Sequence, residues 1–187
     1  MGKLVVFNSI SLDGFFVDRQ NDMSWAHNPK KDEEWDAFVN GNASGGGQLI
    51  FGRVTYELMA SYWPTAIAKR NDPIVAERMN NLPKIVFSKS MKKADWKNTR
   101  LVKDGLAEEI RRLKRDDEDG MAIMGSGSLV AQLTQERLID EYQMVVVPVI
   151  LGSGRTLFDG VNDRLGLKLV QSRSFQNGNA YLCYEPA

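Results

Sequence analysis

At 187 residues, with 43% hydrophobic and 26% charged, the chain can bury a sizeable core and has the make-up of one globular domain spanning 1–187. Its 24 Lys and Arg balance 24 Asp and Glu, which excludes the broad positive surface that nucleic acid or an anionic membrane needs. A local basic pocket for one phosphorylated small molecule is compatible with that balance.

The longest apolar run, "MVVVPVIL" at 144–151, is too short to span a bilayer. "MGKLVVFNS" at the start lacks the apolar core and cleavage site of a secretory signal, so the expected compartment is the cytoplasm. Cys183 and His27 are the only residues of their kinds. One of each cannot build a typical zinc site, so no metal is expected, and no G-x-S-x-G elbow exists for a serine nucleophile. Cys183 in "AYLCYEP" reads as a small core residue, and His27 as a surface loop residue.

In chain order, "KLVVFNSI" (3–10) reads as a buried strand running into a loop at Asp13-Gly14. "DEEWDAFV" (32–39) reads as a helix, with the acids Asp32 to Glu34 at its N-terminus and Trp35, Phe38 and Val39 on one face. "NGNASGGG" (40–47) is a break before the short strand "QLIFG" (48–52). Helices are predicted over 53–62, ended by Pro64, and over 72–80, with Pro73 at the first helical position. "KIVFSKS" (84–90) and "TRLV" (99–102) read as strands, and 104–119 as an amphipathic helix. "MAIMG" gives a strand, 127–140 a helix, and 141–151 a long strand in which Pro148 marks a bulge or edge. Residues 167–186 are two alternating runs around Asn177-Gly178-Asn179, hence a hairpin. Strands alternating with helices and closing on strands define an α/β sheet with an antiparallel edge.

Three segments share one grammar, a strand followed by small or polar residues: "LIFGRVTYE", "IVFSKS" and "AIMGSGSLV". Ligands of open α/β sheets settle at the C-terminal ends of strands, where helix N-termini offer unsatisfied N–H groups to an anion. Gly125-Ser126-Gly127-Ser128 suits a pyrophosphate, with Arg53 and Thr55 after Gly52 adding a charged fork and a hydroxyl. Ser88 and Lys89 suit a further phosphate such as a ribose 2′-phosphate. The competing reading is that the glycines are plain turn residues and the serines helix caps. A Walker A loop is absent, and a Rossmann fingerprint fails because Val130 occupies its third glycine.

"NSISLDGFFVD", "IFGRVTYE", "IVFSKS", "MGSGSLVAQL…LIDEY" and "VVVPVILGSGRTLF" together resemble the dihydrofolate-reductase-like superfamily, and within it the reductase domain of bacterial riboflavin biosynthesis. The resemblance implies a mostly parallel sheet of about eight to nine strands flanked by helices, an antiparallel C-terminal hairpin, and a homodimer. It implies an NADPH-dependent reductase acting on a small pteridine-, pyrimidine- or ribosylamino-pyrimidine-like substrate. By the same resemblance Gly52, Arg53, Thr55, Ser88, Lys89 and the run Gly125, Ser126, Gly127, Ser128 and Leu129 hold cofactor phosphates, while Ile10 and Val17 lie near the nicotinamide. Asp13 lies by the substrate and is the candidate for its binding or for proton supply, and Trp25 lines the pocket. The acid that dihydrofolate reductases carry after the first-loop tryptophan falls near Lys30, which favours the riboflavin-type enzyme. The alternative is a nucleotide-binding or interaction module without turnover.

Overall fold

The computed structural model describes residues 2–27, 32–43, 47–116 and 118–187. In chain order the elements are β1 (Leu4–Ser11), β2 (Phe15–Asp18), a 3₁₀ turn (Ser24–Ala26), α1 (Glu33–Ala43), β3 (Gln48–Gly52), α2 (Arg53–Tyr62), α3 (Ala66–Asn71) and α4 (Pro73–Asn81). They continue as β4 (Lys84–Phe87), β5 (Thr99–Val102), α5 (Leu106–Asp116), β6 (Met121–Met124) and α6 (Gly127–Gln135). The last are β7 (Glu141–Val147), β8 (Gly154–Thr156), β9 (Leu167–Ser174) and β10 (Ala180–Pro186).

The main sheet has eight strands in the order β5-β4-β3-β6-β1-β7-β10-β9. The first six are parallel, and the C-terminal hairpin adds β10 and β9 antiparallel. β2 and β8 pair separately as a two-stranded sheet.

Alternation along the strands divides the core. Leu4, Val6, Ile50, Ile85 and Ile123 point to one face, where Ile110 and Leu113 of α5 and Leu129, Val130 and Leu133 of α6 cover them. Leu49, Phe51 and Val86 point to the other, against Tyr56 of α2 and Met79 of α4. On that second face Trp35 and Phe38 of α1 meet Phe175 and Tyr181 in an aromatic cluster, with Trp35 edge-on to Phe175 at 5.0 Å.

Several boundaries differ from expectation for local reasons. Arg137 takes a left-handed φ of 52°, and Leu138 donates to the Leu133 carbonyl at 3.0 Å, so α6 stops at Gln135 and not at 140. β7 ends at Val147 because Pro148 has no N–H for the ladder. α3 was not foreseen; six residues carry little periodicity, and the Thr65 hydroxyl caps it through the Ala68 amide at 3.2 Å. α1 runs through Gly41 and Asn42 into the expected break, whose residues 44–46 lie outside the described ones. Among the described residues no helix is long and apolar enough to cross a membrane.

Candidate functional site

Parallel strands end on one edge of the sheet. Ser88 follows β4, Arg53 follows β3, Gly125 follows β6, and Asp13 lies just beyond β1, so all four segments share that edge. The strand order places them across it as β4, β3, β6, β1.

Side-chain hydrogen bonds tie these segments together. The Ser126 amide donates to Thr55 Oγ1 at 3.0 Å, the Gly52 amide donates to Ser126 Oγ at 2.9 Å, and that hydroxyl donates to the Met124 carbonyl at 3.0 Å. From β1, Asn8 Nδ2 donates to the Gly125 carbonyl at 3.1 Å. The loop after β6 is thus fastened to β1, β3 and α2 before any ligand arrives.

The two glycines of that loop have separate explanations. Gly125 has a φ of +57°, and a Cβ there would lie 2.8 Å from Thr55. A Cβ on Gly127 would lie 2.7 Å from the ring of Phe16, which β2 lays against the start of α6. Both cleared spaces are filled by the protein itself. Ser126 is 6% exposed with amide and hydroxyl both engaged, so it braces the loop and has no free amide for a phosphate, contrary to the simplest sequence reading. Thr55 is likewise bound up in that brace. Leu129 donates to the Ser126 carbonyl at 2.8 Å and buries its side chain in the core. The amides of Gly127 and Ser128 stand in the first turn of α6, where the helix itself provides no acceptor.

Around this point lie exposed basic groups. Arg53 pairs with Glu57 at 2.9 Å, and Lys89 with Asp104 at 3.6 Å. Exposed pairs of this kind are worth about 1 kcal/mol or less, so either side chain is readily drawn to a phosphate. The Ser88 hydroxyl accepts the Met91 amide at 3.0 Å.

Asp13 behaves differently from a proton donor. Its carboxylate accepts from the Ser11 hydroxyl at 2.6 Å and from the amides of Leu151 and Gly152 at 3.1 and 2.7 Å. The Ser11 hydroxyl, with those amides, holds it below the usual carboxylate range. An acid kept ionised anchors the loop after β7; it has no proton to give at neutral pH.

Ile10 and Val17 pack into the cluster that includes Phe16 and Leu129, on the α6 face. Trp25 lies with Trp35, Phe38 and Phe7 on the other face, its Nε1 donating to the Asp22 carbonyl at 3.1 Å. His27 is exposed. Lys30 lies outside the described residues. Asp32 caps α1 through the Glu34 and Trp35 amides at 3.0 and 3.1 Å, and also accepts the Asn177 amide at 2.9 Å. Burial pushes its pKa up, but these amides with that of Gln176 outweigh burial and leave it lowered.

Sequence reading missed Asn8, whose signal is one amide on the otherwise apolar face that Leu4, Val6 and Ile10 form along β1, and Lys84, which is 1% exposed. Lys84 Nζ donates to the carbonyls of Met79, Asn80 and Leu82 beneath the Trp96 ring, and burial, helped by the Lys97 charge, lowers its pKa to about 8. It closes the end of α4 beside a cleft of about 1030 Å³ lined by Tyr56, Glu77, Asn80 and Trp96.

The family model described as the RibD C-terminal domain matches residues 2–181. The chain belongs to that family. YyaP of Bacillus subtilis (strain 168), an uncharacterized protein, is 26% identical over 186 residues, 97% of this chain and 94% of its own. A Shewanella sp. PV-4 protein ascribed to riboflavin biosynthesis superposes with a TM-score of 0.78 at 22% identity, over 99% of both chains. Dihydrofolate reductase from Enterococcus faecalis, solved with NADP(H), superposes at 0.64 and 16% identity over 99% of this chain and 96% of its own. The fold of this RibD C-terminal domain protein is therefore dihydrofolate-reductase-like.

Proposed function

We propose that this protein is an NADPH-dependent reductase whose cofactor lies across the edge formed by β4, β3, β6 and β1. The observation that carries the reading is the start of α6: two amides at a helix N-terminus with no acceptor among the described residues, on a loop already braced by Thr55, Ser126 and Asn8, in a chain of the RibD C-terminal domain family. The Gly127 and Ser128 amides would receive the pyrophosphate, with Arg53 leaving Glu57 to join it. Ser88 and Lys89 would meet the 2′-phosphate at the β4 end. Ile10 and Val17 would then face the nicotinamide at the β1 end. Gly52, Gly125, Thr55, Ser126 and Leu129 keep the cradle in shape.

Bound NADPH would supply hydride; the protein orients it and excludes water. The family and its likeness to a riboflavin biosynthesis protein favour a small pyrimidine- or pteridine-type substrate, with Asp13 fixing the adjacent loop and Trp25 lining the far side. A homodimer in the cytoplasm completes the reading. The open edge of β9 supports it, since Leu167, Leu169 and Val170 are 41, 49 and 44% exposed. Light scattering should then give a dimer mass, and Leu169→Lys a monomer.

Thermal melting with each nucleotide tests the cofactor. NADPH should raise the melting temperature more than NADH, and Arg53→Ala and Lys89→Ala should shrink that preference. Equal shifts remove the 2′-phosphate assignment, and no shift with either removes the cofactor. Binding with no oxidation by any pyrimidine or pteridine offered turns the reading to a nucleotide-binding module.

A further inference from the structure

Asn8 sits in the middle of β1, where Leu4 and Val6 precede it on the same face and Ile10 follows. It pairs in register with Met144, a core residue of that face, and is 2% exposed. By pattern alone a leucine or valine would continue the apolar stripe. The amide therefore calls for a polar reason, and half of one is visible. Its Nδ2 holds the Gly125 carbonyl, the first residue of the braced loop. Its Oδ1 is shut from water and meets no donor among the described residues. A buried acceptor left unpaired is unfavourable, so proteins keep one chiefly where something else pairs it.

The position of Asn8 suggests what that is, given the cofactor orientation proposed above. Running from Ser88 after β4, through Arg53 after β3 and the start of α6 after β6, the last strand reached is β1. The end of the dinucleotide that arrives there carries a primary carboxamide, whose NH₂ is a donor. We propose that Asn8 is a specificity-determining residue: its Oδ1 accepts an N–H of the nicotinamide carboxamide while its Nδ2 keeps hold of Gly125. One side chain would then set the loop that grips the phosphates and read the reactive ring's substituent. Ile10 and Val17, packed on the same face, would pass the ring's flat sides. β2, paired with β8 and contributing Phe16 and Val17 to this cluster, must give way for the ring to reach the acceptor.

The test compares affinities for NADPH and for its 3-acetylpyridine analogue, in which a methyl group replaces the NH₂ donor. Wild type should prefer NADPH by about tenfold, the scale of one buried hydrogen bond. Asn8→Leu and Asn8→Ala should bring the two affinities within about twofold, chiefly by weakening NADPH. Asn8→Asp, which keeps an acceptor but loses the bond to Gly125, should bind both more weakly and retain a preference. A merely structural role for Asn8 would weaken both ligands alike and leave the ratio where it was. An unchanged ratio in the Leu and Ala variants overturns the proposal, as does a wild type indifferent to the two ligands. Failure of wild type to bind either one fails the cofactor reading instead. The melting temperatures of the ligand-free variants show that folded proteins are compared, and the alanine variant serves should leucine not fit.

Discussion

Ser126 gives its amide to the hydroxyl of Thr55 at 3.0 Å across 71 positions of sequence, and in the same turn accepts the amide of Gly52. The start of α2 and the start of α6 are held as one unit by this exchange. Thr55→Val keeps the shape of the side chain but strands the Ser126 amide in a site where Thr55 is only 8% exposed. The expected loss is about 1–3 kcal/mol in urea denaturation. Thr55→Ser should restore most of it, and equal stability of Thr55→Val and wild type would dissolve the unit.

Gly127→Ala pits two effects against each other. Alanine in a helix is favoured by up to about 1 kcal/mol over glycine, less so in a first turn. Against it, the new methyl group would stand 2.7 Å from Phe16 Cζ, and overpacking of this kind costs about 1–3 kcal/mol. Net destabilisation is expected. Adding Phe16→Leu should relieve the clash, so that Gly127→Ala becomes neutral or stabilising in that background; a double-mutant cycle measures the reversal.

For Asp13, an anchoring role and a proton-donor role part ways kinetically. Asp13→Asn should raise KM several-fold by loosening the amides of Leu151 and Gly152. The alkaline limb of the kcat profile, where a general acid would lose its proton, should stay where it is, because the lowered carboxyl pKa leaves nothing to donate at neutral pH. Loss of that limb in the variant would return Asp13 to the chemistry.

Away from the site, Glu109 accepts two bonds from Arg112, at 2.8 and 3.0 Å, and one from Arg100. The Arg112 guanidinium first, then Arg100, pulls its pKa from 4.5 to about 2. A folded pKa below the unfolded one means stability that is present above pH 4.5 and lost as pH falls toward 2. Both arginines are half exposed, so the contribution is discounted to about 1 kcal/mol or less. Chemical denaturation should show Glu109→Gln less stable at pH 7, the gap closing through that acid window and shrinking in about 1 M salt.

Local pattern carried much of this fold. α2 and β5 occupy the residues their periodicity indicated, and the hairpin about Asn177-Gly178-Asn179 forms where its turn residues stand. The grouping of Gly52, Ser88 and Gly125 on one edge followed from strand direction. What escaped depends on residues far apart in the chain. That Ser126 and Thr55 serve each other is set by where β6 and α2 come to rest, which neither segment encodes alone. Lys84 is buried because the end of α4 lays the Met79 and Asn80 carbonyls over its ammonium and Leu82, just beyond the helix, adds a third. β8 is three residues long and held by pairing with β2, so no periodicity could announce it.

The double duty of Asp32 has a mechanical corollary. One carboxylate receives amides both from the beginning of α1 and from the tip of the closing hairpin. Neither partner can swing outward without stripping the same oxygen pair of half its donors. Helix and tip are thus yoked, and a disturbance felt at the last two strands is delivered to α1 and the aromatic side chains it carries.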